Sequence, residues 1–277
     1  MRPCPEGLLG LGVPVLESCC QAAAERVVID EIGYLEADCL PCQQAILRLM
    51  EHKSLVAAVR RQPLPFLEQL LSREDVFCVD LDDPFGQTGC VIMASGEGRR
   101  FGGNKLMAEF DGCPMICRAL AATEGVFARR VVVTRHESVA GLCKKMNVDC
   151  VLHDQPLRSD TVRIGLDALG DVDSCLFCPG DQPLLRQETV AAMVLAARNA
   201  PTAIWRASSG DTAATPVLFP KELFPELRTL PAGKGGGWLI GQHPELVRLL
   251  PVTTPAELMD ADTPEELEQL KSLLTEA

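Results

Sequence analysis

Two periodicities alternate along the chain. Short runs rich in β-branched and apolar residues, at 26–30, 54–59, 76–79, 89–94, 130–134, 149–152 and 174–178, read as strands. Between them, apolar residues recur every three to four positions in 41–52, 64–72, 114–124 and 136–146, which predicts amphipathic helices. A further helix is expected from a cap at Ser159 or Asp160 to Leu169. Strand–helix alternation of this kind implies a mostly parallel sheet with helices on its faces. Beyond residue 183 the pattern predicts a helix at 186–199, strands at 202–206 and 216–219, and a helix at 221–227. Residues 247–252 read as a helix passing into a strand, and 263–274 as a terminal helix capped by Thr263. The tract 80–89 is acidic, turn-rich and aperiodic, so two domains are expected, 1–85 and 86–277.

Composition narrows the class. The 277 residues carry a formal net charge of −12, which argues against a general nucleic-acid or anionic-membrane surface. No apolar run approaches membrane-spanning length and no leader pattern opens the chain, so a cytoplasmic protein is expected. Most of the thirteen cysteines sit singly in apolar runs, where cysteine behaves as a small hydrophobe, consistent with a reducing compartment. Cys39 and Cys42 have C-x-x-C spacing, and Cys19 and Cys20 lie upstream. A four-thiolate metal site is one reading. The preferred one starts a helix at Pro41 and turns Cys42 into a core with Ile46 and Leu49, because adjacent cysteines suit one tetrahedral ion poorly.

The candidate chemistry begins where the most apolar strand ends. Residues 95–105 hold four glycines (Gly96, Gly98, Gly102, Gly103) and three cations (Arg99, Arg100, Lys105). Glycines at the carboxyl end of a strand let backbone N–H groups approach a phosphate chain, and the cations supply charge. Ala94, Ser95, Gly96, Glu97, Gly98, Arg99, Arg100 and Lys105 are therefore the candidate nucleotide-binding residues. The spacing is neither a Walker A loop nor a dinucleotide fingerprint. Asp181, on the turn Pro179-Gly-Asp-Gln-Pro183, is a natural Mg²⁺ ligand, with Asp262 as second carboxylate and Asp260 as a weaker candidate. Arg100, Lys105 and Asp181 form the candidate catalytic set, since transfer of a phosphoryl-type group rests mainly on positioning and charge stabilisation.

Gly96-x-Gly98-x-Arg100-Phe101-Gly102-x-x-Lys105 resembles the signature of the MobA-like nucleotidyltransferases. Asp111-Gly-Cys-Pro-Met-Ile116, Pro179-Gly-Asp-Gln-Pro-Leu184 and Asp260-Ala-Asp-Thr-Pro-Glu-Glu-Leu267 are similar to three further family motifs in the same order, so the likeness spans residues 89–271. It implies a Rossmann-like fold that moves a nucleotidyl group from an NTP to a phosphorylated acceptor and releases pyrophosphate, with Mg²⁺. Ser95, the Arg-Phe-Gly run and Gly-Asp-Gln-Pro are similar to the branch that joins CMP to molybdopterin, which implies CTP as donor. The segment 153–161 lacks the family's glycine, Ala214-Thr215 replaces a Gly-His or Gly-Asn pair, and 233–237 lacks a nearby acid. All three departures fall around the acceptor. A nucleotidyltransferase acting on molybdopterin, one acting on another phosphorylated acceptor, and a non-catalytic factor delivering cofactor to a molybdenum hydroxylase apoenzyme thus stand side by side.

Val28-Ile-Asp-Glu-Ile-Gly-Tyr-Leu-Glu36 resembles the Walker B region of small P-loop NTPases, and the likeness continues thinly to Leu81. It implies that Asp30 would serve the metal and Glu31 the attacking water. No phosphate-binding loop precedes them, so residues 1–85 read as a truncated α/β domain of that type.

Overall fold

The computed structural model describes residues 5–275. The chain divides into two compact units, residues 1–78 and 79–277.

In the first unit, α1 (Val13–Gln21) precedes β1 (Arg26–Ile32), α2 (Leu40–His52), β2 (Ser54–Val59) and α3 (Pro65–Leu71). β1 and β2 pair in parallel as a two-stranded sheet. One face of that sheet packs on α2 and α3 through Ile46, Phe66, Leu67 and Leu70. The period-two alternation turns Val28 (71% exposed) and Val56 (54%) the other way. Cys42 lies in the core with Ile46 and Leu49. Burial first, then the neighbouring Cys39 and Glu36, push its thiol up to about 11, the opposite of what a metal ligand needs. Among the described residues no three His, Cys, Asp or Glu side chains are grouped to hold an ion. Residues 76–79, expected as a strand, run without sheet partners, with Phe77 58% exposed. Their apolar character reads as strand, but a strand exists only where another pairs with it.

The second unit is built on β3 (Thr88–Ala94), α4 (Ile116–Ala122), β4 (Arg129–Thr134), α5 (Glu137–Lys145), β5 (Cys150–Leu152), α6 (Arg158–Leu169) and β6 (Ser174–Pro179). It continues with α7 (Gln187–Asn199), β7 (Ile204–Ser209), β8 (Thr212–Pro220), α8 (Phe224–Arg228), α9 (Gly236–Gln242), β9 (Val247–Pro251) and α10 (Pro264–Thr275). Seven strands form one sheet in the order β9-β7-β8-β6-β3-β4-β5. β8 runs antiparallel to both its neighbours and every other pairing is parallel. The mostly parallel α/β architecture expected from the pattern is thus present. Two apolar cores cover the faces, one containing Ile92, Leu176 and Leu218, the other Val91, Phe177 and Phe219. Gly165 lets α6 lie directly on the central strand, since a Cβ there would stand 2.5 Å from a Val91 methyl. Among the described residues no helix is long and apolar enough to cross a membrane.

Several expectations need correction. The strands expected at 202–206 and 216–219 are an antiparallel hairpin, Ile204–Ser209 and Thr212–Pro220, joined at Gly210, whose φ is +56°. The helix expected at 221–227 is a 3₁₀ turn (Lys221–Leu223) followed by α8, with Pro225 in its first turn. Residues 247–251 are strand throughout, because β9 pairs with β7 along its whole length. Residues Cys113–Pro114 pair with Glu109–Phe110 in a short hairpin, so α4 starts only at Ile116. The cap of α6 is Leu157, whose backbone N–H donates to the Asp160 carboxylate at 3.3 Å. Neither Ser159 nor Asp160 is itself the cap.

Candidate active site

β3 is buried on both faces, with Cys90, Val91 and Ile92 wholly inaccessible. It delivers its carboxyl end into the middle of the sheet, between β6 and β4, where open α/β sheets bind ligands. Ala94 is the last residue of β3. It is wholly buried, and its carbonyl accepts from Thr134 Oγ1 at 2.9 Å. The chain then turns through four glycines, two of which have left-handed backbone. Gly98 has φ +59°, and a Cβ there would stand 2.2 Å from the Gly103 carbonyl oxygen. Gly102 at φ +76° closes the same loop, and the 3₁₀ turn Arg99–Phe101 between them carries the two arginines.

Histidines pin the start of the loop. Ser95 Oγ donates to the Val133 carbonyl at 3.1 Å and lies 2.9 Å from His153 Nε2. A hydroxyl has one proton, so His153 Nε2–H is the donor to Ser95 in this arrangement and Nδ1 is left as a bare acceptor. Nδ1 is buried without a partner. Burial, then the Arg135 charge, lowers the His153 pKa, which keeps the ring neutral. His136 Nε2 meets the Gly96 carbonyl at 2.8 Å. Glu97 pairs with Arg99 and, at 3.4 Å, with Arg135.

Lys105 is the centre of the arrangement. It is only 8% exposed, on a 3₁₀ turn (Lys105–Met107) capped by the Asn104 side chain. Its Nζ lies 2.5 Å from Asp181 Oδ2 and 2.6 Å from Asp262 Oδ1. Arg100 pairs with the other oxygen of Asp262. Burial pulls the Lys105 pKa down, but the charges and hydrogen bonds of Asp181 and Asp262 together outweigh it and leave the pKa raised. The same contact with Lys105 holds the Asp262 carboxyl below the ordinary range. Asp260 moves the other way: crowding by surrounding protein raises its pKa first, and the Asp181 charge adds to that.

Hydrogen bonds fix the backbone on which both carboxylates sit. Gly180 N–H donates to Met93 O at 3.1 Å, tying the β6 turn to β3, and Asp181 O accepts from Ala261 N–H at 3.1 Å. Asp262 and Thr263 donate their N–H groups to Glu266, which in turn donates to Thr263 Oγ1, a capping box that opens α10. Gln182 is 1% exposed and donates to Thr215 Oγ1 and Leu258 O at 3.0 and 3.1 Å. Reading the chain did not single out Gln182, His136, His153 or Arg135. The signal for Gln182 was its place inside the Asp181 turn.

A cleft of about 870 Å³ opens beside these groups, and Ser95, Gly96, Glu97, Arg99, Lys105 and Asp181 contribute to its lining. The structure therefore brings Arg100, Lys105, Asp181 and Asp262 into one ion cluster at the edge of the cleft. In the first unit Asp30 and Glu31 are exposed, and Glu31 is taken up by Arg60 at 2.5 and 3.0 Å.

Comparison with known proteins gives a family match for each part of the chain. Residues 4–84 match an NTPase family. A 2-C-methyl-D-erythritol 4-phosphate cytidylyltransferase of Dehalococcoides mccartyi is 30% identical over 53% of this chain and 67% of its own length. A 3-deoxy-manno-octulosonate cytidylyltransferase of Helicobacter pylori is 28% identical over 61% of this chain and 79% of its own. Among solved structures, molybdopterin-guanine dinucleotide biosynthesis protein A from Archaeoglobus fulgidus superposes with a TM-score of 0.56 at 17% identity, covering 68% of this chain and all of that one. The fold is that of the Rossmann-like nucleotidyltransferases. Residues 90–247, more than half of the protein, match the MobA-like NTP transferase domain, and the chain belongs to that family.

Proposed function

We propose that the second unit transfers a cytidylyl group from CTP to a phosphorylated acceptor and releases pyrophosphate, with molybdopterin as the acceptor that its motifs favour. The observation that carries this reading is the Lys105 ammonium clasped by Asp181 and Asp262 beside a glycine-rich, cationic loop. In the reaction an acceptor phosphate oxygen forms a bond to the α-phosphorus of CTP. The bond from that phosphorus to the bridging oxygen breaks, and its electron pair leaves with pyrophosphate. No proton transfer is required, so the protein acts by orientation and by neutralising oxygens. The loop amides beyond Ser95 would hold the triphosphate, and Arg100 and Lys105 would face its charge.

Two carboxylates that already share one cation fit a Mg²⁺ ion, which usually takes one or two protein carboxylates and completes its shell with water and phosphate oxygens. Asp181 and Asp262 would hold it, and when bound it supplies charge neutralisation at the phosphates. The preference for CTP rests on Ser95 and the Arg-Phe-Gly run. Thermal-shift titration with CTP and with GTP in Mg²⁺ tests it: a larger shift with CTP is expected, and a larger one with GTP would reverse the assignment.

A second reading, a non-catalytic factor that carries the cofactor to a molybdenum hydroxylase apoenzyme in the cytoplasm, is favoured by the altered acceptor segments at 153–161 and 214–215. Pyrophosphate release with Mg²⁺, CTP and an acceptor separates it from the first.

A further inference from the structure

Six basic side chains line the cleft, against two acidic ones, Glu97 and Asp181. Three of the six are paired: Lys105 with Asp181 and Asp262, Arg99 and Arg135 with Glu97. The remaining three, Arg158, Arg206 and Lys234, have neither an ion pair nor a hydrogen-bond partner among the described residues. In a protein of net charge −12, three unpaired cations in one cleft lobe need a physical reason.

Their placement supplies it. Arg206 lies on β7 in register with Val217, on the face shared by Ile204 and Phe219. Its Nε is buried and lacks any partner. Burial lowers its pKa and no counter-charge offsets it. β8 separates β7 from β6, so Arg206 stands two strand spacings, roughly 10 Å, from the strand that carries Asp181, on the side away from the glycine-rich loop. Arg158 starts α6 and lies across the loop 233–237, its Cδ 3.0 Å from where a Gly235 Cβ would be. Gly236 is pressed against the Phe219 ring in the same way, at 2.8 Å. Gly233 N–H donates to Ser159 Oγ at 3.2 Å, which ties that loop to the start of α6 and places Lys234 at the lobe. A desolvated guanidinium without a partner is costly in a folded protein unless an anion completes it.

Resting on the nucleotidyltransferase reading, we infer that Arg206, Arg158 and Lys234 form a second anion receptor in the cleft that holds the phosphate group of the acceptor. Three cations match a dianionic phosphate ester better than a single carboxylate, and the fork of Arg206 fits tetrahedral oxygens in pairs. The receptor presents that phosphate to the α-phosphorus bound beyond Asp181.

The test uses the full chain and inorganic phosphate as probe, with and without saturating CTP. Quenching of Trp238, which lines the lobe, reports binding, and a Trp238→Phe control, in which Trp205 is the remaining tryptophan, measures the background to be subtracted. Saturable phosphate binding with CTP bound is expected. Arg206→Met should weaken it about tenfold or more. Lys234→Ala, on an exposed loop where it cannot unfold the protein, should weaken it several-fold. The CTP thermal shift should be unchanged in both. Equal phosphate affinity in the wild type and both variants, no saturable binding, tighter binding of acetate than of phosphate, or loss of CTP binding in Arg206→Met would each overturn the receptor. A wild type that takes phosphate but not CTP would instead refute the donor reading and leave the receptor standing.

Discussion

Lys105 has two jobs that differ in when they matter. In the free protein it holds Asp181 and Asp262 together; with nucleotide bound it would face phosphate oxygens. Lys105→Ala should therefore leave the fold intact but weaken triphosphate binding and abolish turnover, since a cation facing phosphate acts in ground and transition state alike. It also leaves two carboxylates facing each other. A loss of stability on the order of 1–2 kcal/mol is expected, less than for a fully buried pair because both carboxylates keep some solvent. The pH dependence has a definite sign. Asp262 has a lowered pKa, so its contribution is present above the unfolded carboxyl value of about 3.9 and is lost as pH falls through the native value. Lys105 has a raised pKa, so its contribution is complete below the unfolded lysine value of about 10.4 and is lost only as pH rises through the native one. Melting temperatures of Asp262→Asn against wild type should stand apart at neutrality and draw together as pH falls through the lowered native value of Asp262. A constant gap through that fall would show that the ion cluster is not what Asp262 stabilises. Lys105, Asp181 and Asp262 could be singled out in the chain because each stands beside glycines or prolines that mark loops at strand ends. Their mutual contact could not, since nothing local encodes a distance of 157 residues along the chain.

At the scale of elements, the glycine-rich loop is the part whose conformation follows most directly from its residues. Gly98→Ala combines a left-handed backbone with a direct overlap on the Gly103 carbonyl, and the loop must rearrange. The NTP concentration needed for half-maximal thermal shift should rise at least tenfold, while the far-UV spectrum stays unchanged. Retained affinity would mean that the loop does not hold the triphosphate. The parallel strands were legible because burial on both faces produces continuous apolar runs such as Cys90–Ile92. The β7–β8 hairpin was not: its residues 212–215 are threonines and alanines without an apolar run, and its pairing depends on β6 and β7 lying on either side. The strand expected at 76–79 failed for the same reason in reverse, having strand-like residues and no partner.

Across the whole molecule, the two units read differently. The second carries a full sheet with both faces covered; the first has two strands and leaves Val28 and Val56 exposed. In its NTPase-like part Glu31 is engaged by Arg60 rather than free to orient water. The full chain should therefore show no ATPase activity that depends on Glu31, and Glu31→Gln should change neither ATP hydrolysis nor ATP binding. An activity lost in that variant would establish a working NTPase site in residues 1–78. The motifs of the second unit were legible because each follows a strand in the order the family uses. Two segments of the acceptor lobe, 153–161 and 233–237, stood out as departures around the acceptor, but its cations could not be joined, because they come from α6, β7 and the loop at 233–237, far apart in sequence.

Release of pyrophosphate tests the central claim most directly. The protein is incubated with CTP, Mg²⁺ and, in separate reactions, molybdopterin and sugar phosphates, alongside Lys105→Ala and Asp181→Ala. Acceptor-dependent release by the wild type, abolished in both variants, is the result predicted. Release that continues unchanged in either variant would contradict the assignment of the glycine-rich loop and its ion cluster as the active centre.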